Sequence, residues 1–129
     1  MNNFHGSIPQ LFPNGSSLKT INLNGNQLEG PLPTSLANCS GLEVLDVGNN
    51  MVNGTFPLWL ATFSELQVLI LRSNRFLGCI GNSETRFHFV KLRILDIAYN
   101  QFTGILPTKL FEGFETIMHG HDKNTSADY

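Results

Sequence analysis

Two imidazoles two residues apart, in His119-Gly120-His121-Asp122, are the arrangement in this 129-residue chain best suited to a metal ion, because both rings can share one face. A metal site needs a third and fourth ligand at defined spacing. The segment does not bring them, so it reads as a solvated polar tail. His5 and His88 stand alone. No G-x-S-x-G, H-E-x-x-H or P-loop pattern occurs, so the sequence offers no activated nucleophile, metalloprotease helix or phosphate cradle and implies no cofactor. The expectation is a protein that is not an enzyme. Four N-x-Ser/Thr sequons are the remaining chemistry: Asn14, Asn38, Asn53 and Asn124 are candidate N-glycosylation sites in a secreted chain.

Bulk properties narrow the partners. Lys plus Arg total 8 against 10 Asp plus Glu, and a net charge of -2 supplies no basic stripe for a phosphate backbone, so nucleic acid is not an expected partner. No window approaches the roughly eighteen unbroken apolar residues that a transmembrane helix requires. The amino terminus, Met1-Asn2-Asn3-Phe4-His5, lacks the basic and apolar regions of a secretory signal.

The elements that must position any site follow from an internal repeat. Leu18, Leu42 and Leu66 are spaced by 24 and Leu92 follows after 26, each opening a segment of form L-x-x-L-x-L-x-x-N. The copies are Leu18-Ile21-Leu23-Asn26, Leu42-Leu45-Val47-Asn50, Leu66-Leu69-Leu71-Asn74 and Leu92-Leu95-Ile97-Asn100; Asn2 holds the Asn position of an earlier, partial unit. Two residues after each Asn stand Phe4, Leu28, Val52, Phe76 and Phe102; four after stand Gly6, Gly30, Gly54, Gly78 and Gly104. A proline column follows at Pro9, Pro33, Pro57 and Pro107, with Gly81 in its place in the fourth unit. The units are a partial repeat over 1–17, repeats over 18–41, 42–65, 66–91 and 92–118, and a tail over 119–129.

Each column has a physical reading. Alternation across x-L-x-L-x is that of a short strand, so Ile21 and Leu23 point inward while Thr20, Asn22 and Asn24 point out. The Asn residues 2, 26, 50, 74 and 100 stand where the chain leaves the strand, and stacked buried carboxamides there would form a ladder satisfying backbone groups. Glycine suits unusual dihedrals or close approach, and proline favours an extended return over a regular helix. The predicted fold is an α/β-class solenoid with a parallel β-sheet on its concave face and short 3-10 or extended segments on its convex face. Cys39 and Cys79 lie in units two apart, roughly 10 Å at about 4.8 Å per strand, beyond the disulfide limit near 7 Å; free, mostly buried thiols are expected.

The concave face is the candidate binding surface. Its outward columns are Thr20, Val44, Val68 and Ile94; Asn22, Asp46, Ile70 and Asp96; and Asn24, Gly48, Arg72 and Ala98, bordered by Ser73 and Tyr99. A β-branched stripe beside Asp46, Arg72 and Asp96 would dock a peptide or protein edge, apolar area giving affinity and charge setting register. Strand propensity alone would place the same stripe along any parallel sheet.

The phrases Leu23-Asn24-Gly25-Asn26-Gln27-Leu28-Glu29-Gly30-Pro31-Leu32-Pro33, Leu36-Ala37-Asn38-Cys39, Phe56-Pro57-Leu58-Trp59-Leu60 and Leu71-Arg72-Ser73-Asn74-Arg75-Phe76 resemble the plant class of leucine-rich repeats. Within that class they resemble the receptor-like proteins that act as cell-surface immune receptors. The resemblance, over about Asn2 to Met118, implies a plant-type horseshoe or superhelix and a ligand- or protein-binding segment in defence or developmental signalling. It also implies a place on the extracellular side of the plasma membrane and, without a kinase, a partner receptor kinase as co-receptor. The alternatives are a secreted inhibitor of pathogen cell-wall-degrading enzymes built on the same repeat, or a truncated gene copy without independent activity. The fourth unit departs from the pattern: it is two residues longer and has Gly78-Cys79-Ile80-Gly81 where Gly-x-Ile-Pro is expected, which reads as a convex bulge. Leu110, Phe114, Ile117 and Met118 fall at helical spacing, read as a capping or packing segment that leads toward a non-repeat island region.

Overall fold

The computed structural model describes residues 5–8, 12–80 and 89–104, and the backbone of 115–117. The strand segments of the repeat form β2 (Thr20–Asn22), β4 (Val44–Asp46), β6 (Val68–Ile70) and β8 (Ile94–Asp96). They pair in parallel, with Thr20, Val44, Val68 and Ile94 in lateral register and Asn22, Asp46, Ile70 and Asp96 in the next row. The concave sheet and its columns are therefore those the repeat phase predicts. A fifth strand, β10 (Glu115–Ile117), joins beside β8 with Glu115 opposite Ile94. This corrects the reading of helical spacing at Ile117: residues 115–117 continue the stack by strand pairing, and so short an apolar pattern does not separate the two periods, while Leu110, Phe114 and Met118 lie outside the described residues.

A second parallel sheet was legible only as extended chain. It holds β1 (His5–Ser7), β3 (Gln27–Gly30), β5 (Met51–Gly54), β7 (Arg75–Cys79) and β9 (Gln101–Thr103) in that order. Leu28, Val52, Phe76 and Phe102 turn inward from it and are buried, while their neighbours Gln27, Arg75 and Gln101 face solvent. The glycine column falls at or within one residue of the ends of these strands: Gly6, Gly30, Gly54, Gly78 and Gly104 have φ between 82° and 110°, backbone that a Cβ disfavours. His5 pairs with Gln27 and Glu29 with Met51, steps of 22, whereas Thr20 pairs with Val44, a step of 24. The second sheet thus slips two residues per unit against the first, which skews each unit on the last.

After the prolines at 33 and 57 the return path forms 3-10 helices, η1 (Thr34–Asn38) and η2 (Leu58–Thr62), burying Leu36, Leu60 and Ala61. Between the sheets and these turns lies one continuous core, in which Phe56 meets Phe102 edge-on at 6.0 Å and Phe102 stacks on Phe76 at 5.9 Å. Leu42, Leu66 and Leu92 are buried, but their counterpart Leu18 is 43% exposed because β2 is the outermost described strand of its sheet. Cys39 is buried and free; Cys79, expected to be buried, is exposed because β7 continues to Cys79 and alternation points it outward.

The asparagine ladder joins the units. The Asn50 amide donates to its own unit at Val47 O (3.0 Å) and Gly48 O (3.1 Å) and to the preceding unit at Leu23 O (2.9 Å), while its Oδ1 accepts from Leu28 N–H (3.1 Å). Asn74 repeats this with Leu71 O, Val47 O and Val52 N–H, and Asn100 with Ile97 O, Leu71 O and Phe76 N–H. Asn26 donates to Leu23 O at 2.7 Å; Asn2 lies outside the described residues. Removing such a carboxamide strands buried backbone groups on two units. Asn50→Ala is therefore expected to cost ~3 kcal/mol in urea denaturation, whereas Asn49→Gly, next door and exposed with φ 57°, should change stability by less than about 0.5 kcal/mol.

Candidate ligand-binding face

The outward columns of the inner sheet lie on one surface. Val44, Val68, Ile94 and Ile70 are half-buried there, Thr20 and Asn22 are exposed, and Asn24, Asp46 and Arg72 are half-buried. The apolar members form a continuous patch across β4, β6 and β8. Its lower border carries inter-unit ion pairs, Lys19 with Glu43 at 3.8 Å and Lys91 with Glu65 at 2.9 Å. The Lys91 hydrogen bond, and then its charge, hold the Glu65 carboxyl below its ordinary value.

The end of each strand explains the polar members. Asn22 Oδ1 accepts from Asn24 N–H (3.0 Å), Asp46 Oδ1 from Gly48 N–H (2.9 Å) and Asp96 Oδ1 from Ala98 N–H (3.1 Å). Each side chain caps the turn by which the chain leaves the sheet. The signal is present in the sequence as an Asn or Asp at the same phase of three units, where these residues read as members of the binding face, with Asp46 and Asp96 setting a ligand's register. The Asn24 amide also donates to Asp46 Oδ1 at 3.0 Å, and the Asn49 amide to Asn24 Oδ1 at 3.3 Å. Gly48 is required beneath this network: a Cβ there would stand 2.8 Å from Asn24 Nδ2 and 3.3 Å from Ile70 Cγ2.

Asp96 differs from its sequence reading as an exposed charge. Its residue is only 4% exposed, and its Oδ2 receives the Arg72 guanidinium at 2.8 Å. Arg72 in turn lies over the Tyr99 ring, 5.4 Å from its centre. Tyr99 is exposed, with φ 59°. The structure thus joins Arg72, Asp96 and Tyr99 into one cluster beside the apolar patch, and keeps Asp46 in a separate network with Asn24.

Among the sequons, Asn14 is exposed in a turn and Asn53 is exposed on β5, both away from the inner sheet; Asn38 is half-buried at the end of η1, where its amide donates to Phe12 O at 2.6 Å. Asn124, His119 and His121 lie outside the described residues. Among the described residues no group of three or more His, Cys, Asp or Glu is placed to hold a metal, and no helix is long and apolar enough to cross a membrane.

Two family models for leucine-rich repeats match the chain, over residues 16–76 and 91–112. With the parallel inner sheet and its asparagine ladder, they show that the chain belongs to the leucine-rich-repeat family. Receptor-like protein 48 of Arabidopsis thaliana is 49% identical over 47 residues, 36% of this chain and 6% of that protein. The chain therefore matches only a small part of the length of its curated relatives. The leucine-rich-repeat ectodomain of the receptor kinase SOBIR1 from Arabidopsis thaliana is similar with a TM-score of 0.64 and 29% identity, over 81% of this chain and 60% of that one. The plant peptide hormone receptor RGFR1, solved in complex with RGF2, gives a TM-score of 0.75 and 25% identity, over 92% of this chain and 19% of that one.

The ion-pair border yields a direct check. Lys91→Met should raise the Glu65 titration midpoint, followed by NMR of its side-chain carboxyl. The paired carboxylate stabilises the fold at neutral pH, and that contribution disappears as acid protonates Glu65.

Proposed function

We propose that this chain is a peptide- or protein-binding segment of a plant cell-surface receptor-like protein, and that the inner sheet between Val44 and Tyr99 is the surface that contacts the partner. The observation that carries the reading is the half-buried apolar row Val44, Val68 and Ile94 with Ile70, flanked by the Arg72 and Tyr99 cluster and borne on a rigid stack. Apolar side chains left on an accessible face, with oriented polar groups at the border, are the composition of a recognition surface. The solved complex of RGFR1 with RGF2 supports this for a similar repeat array. Likeness to receptor-like proteins, which this reading takes to lack a kinase, supports signalling through a receptor-kinase co-receptor at the plasma membrane, in defence or development. In a secreted parent, Asn14, Asn38, Asn53 and Asn124 would be glycosylation sites, and the exposed Asn14 and Asn53 would place glycans away from the inner sheet.

A displayed library of random seven-residue peptides, selected on the purified full chain, tests the surface. Val68→Arg and Ile70→Glu are expected to weaken the selected peptides about tenfold or more in fluorescence anisotropy, while Leu77→Glu on the second sheet should leave binding unchanged. Binding lost with Leu77→Glu and kept with Ile70→Glu would overturn the assignment.

A further inference from the structure

Tyr99 is at odds with its backbone. The position just before each ladder asparagine has a left-handed φ: 75° at Gly25, 57° at Asn49, 58° at Ser73 and 59° at Tyr99. Glycine and asparagine adopt this region readily, whereas an aromatic residue is uncommon there. Core burial does not account for it, because Tyr99 is 44% exposed. Its ring instead lies against the Arg72 guanidinium, 5.4 Å from ring centre to the central carbon.

Arg72 is held from its other side by Asp96, whose side chain is 6% exposed and whose second oxygen is occupied by Ala98 N–H. The pair is ordered so that the anion sits in the floor and the cation stands above it, 37% exposed. A guanidinium carries five N–H groups in a fixed fork. Among the described residues, the Arg72 fork makes one hydrogen bond, to Asp96. Its neighbours in the same column, Gly48 and Ala98, carry no side chain long enough to reach the guanidinium.

We propose that Arg72, braced by Asp96 and Tyr99, is a carboxylate-recognition point on the inner sheet. Its ligand is an extended peptide whose Asp or Glu side chain pairs with the free edge of the guanidinium while adjacent apolar side chains rest on Val68, Ile70 and Ile94. The proposal rests on the inner-sheet reading above and adds the chemistry of the partner. Bracing matters because a side chain already fixed by an ion pair and a ring loses less freedom on binding. It also accounts for the tyrosine: the ring orients the cation at a backbone position that glycine would occupy with less strain.

The peptides selected on the full chain supply the test. They should be enriched in Asp or Glu, and replacing that residue by Asn or Gln should weaken binding about tenfold at low salt, with the difference shrinking as NaCl rises. Arg72→Gln should abolish the preference. Because that change leaves Asp96 unpaired, Tyr99→Gly provides a second probe: relief of the left-handed backbone should hold or raise the thermal midpoint, yet weaken acidic peptides several-fold, and Tyr99→Phe should restore them. Selected peptides without acidic enrichment, or a preference unchanged in both Arg72→Gln and Tyr99→Gly, would overturn the carboxylate assignment and leave the inner-sheet reading standing. Peptides insensitive to Val68→Arg and Ile70→Glu as well would overturn both.

Discussion

Among the described units, one carboxamide per unit ties this molecule together, buried at Asn26, Asn50 and Asn100 and half-buried at Asn74. Asn50, Asn74 and Asn100 each donate to carbonyls of their own turn and of the unit before, and each accepts an amide from the first residues of a second-sheet strand in that unit. A backbone that turns inside a core cannot reach water, and neither sheet supplies partners at the corner between them. The asparagine side chain resolves this with the donors and acceptor of a single group. It fixes the corner, and the corner fixes where both sheets lie relative to the core.

The proposed binding face is a consequence of that corner. With successive strands locked in register, outward side chains at one phase of the repeat become columns, so Val44, Val68 and Ile94 align without any contact having been selected between them individually. Asn22, Asp46 and Asp96 then cap the turns that follow β2, β4 and β8, while β6 ends at the same phase on Ile70, and the next residue pair stands on the border of the face. Rigidity of the scaffold and accessibility of the surface come from the same stacking, which suits recognition by a preformed site.

Periodicity made most of this legible in the sequence. The inner strands, the ladder, the glycine column and the 3-10 return follow from residue types that recur at fixed phase, and all are seen in the described residues. Features that depend on the relation between units were not legible. The second sheet requires Leu28, Val52 and Phe76 to sit on strands that pair across units with a two-residue slip, and no single unit encodes that pairing. Burial of Asp96 under Arg72 arises from two residues 24 apart whose side chains meet only once the units are stacked. Cys79 and Glu115–Ile117 were misread where local pattern breaks down, at the longer fourth unit and beyond the last regular one.

Hydrogen exchange of the full chain with and without a selected peptide tests the central claim most directly. Protection on binding should appear at residues 68–73 and 94–99, while 27–30, 51–54 and 75–79 remain unchanged. Protection confined to the second-sheet segments would contradict the assignment of the inner sheet as the recognition surface.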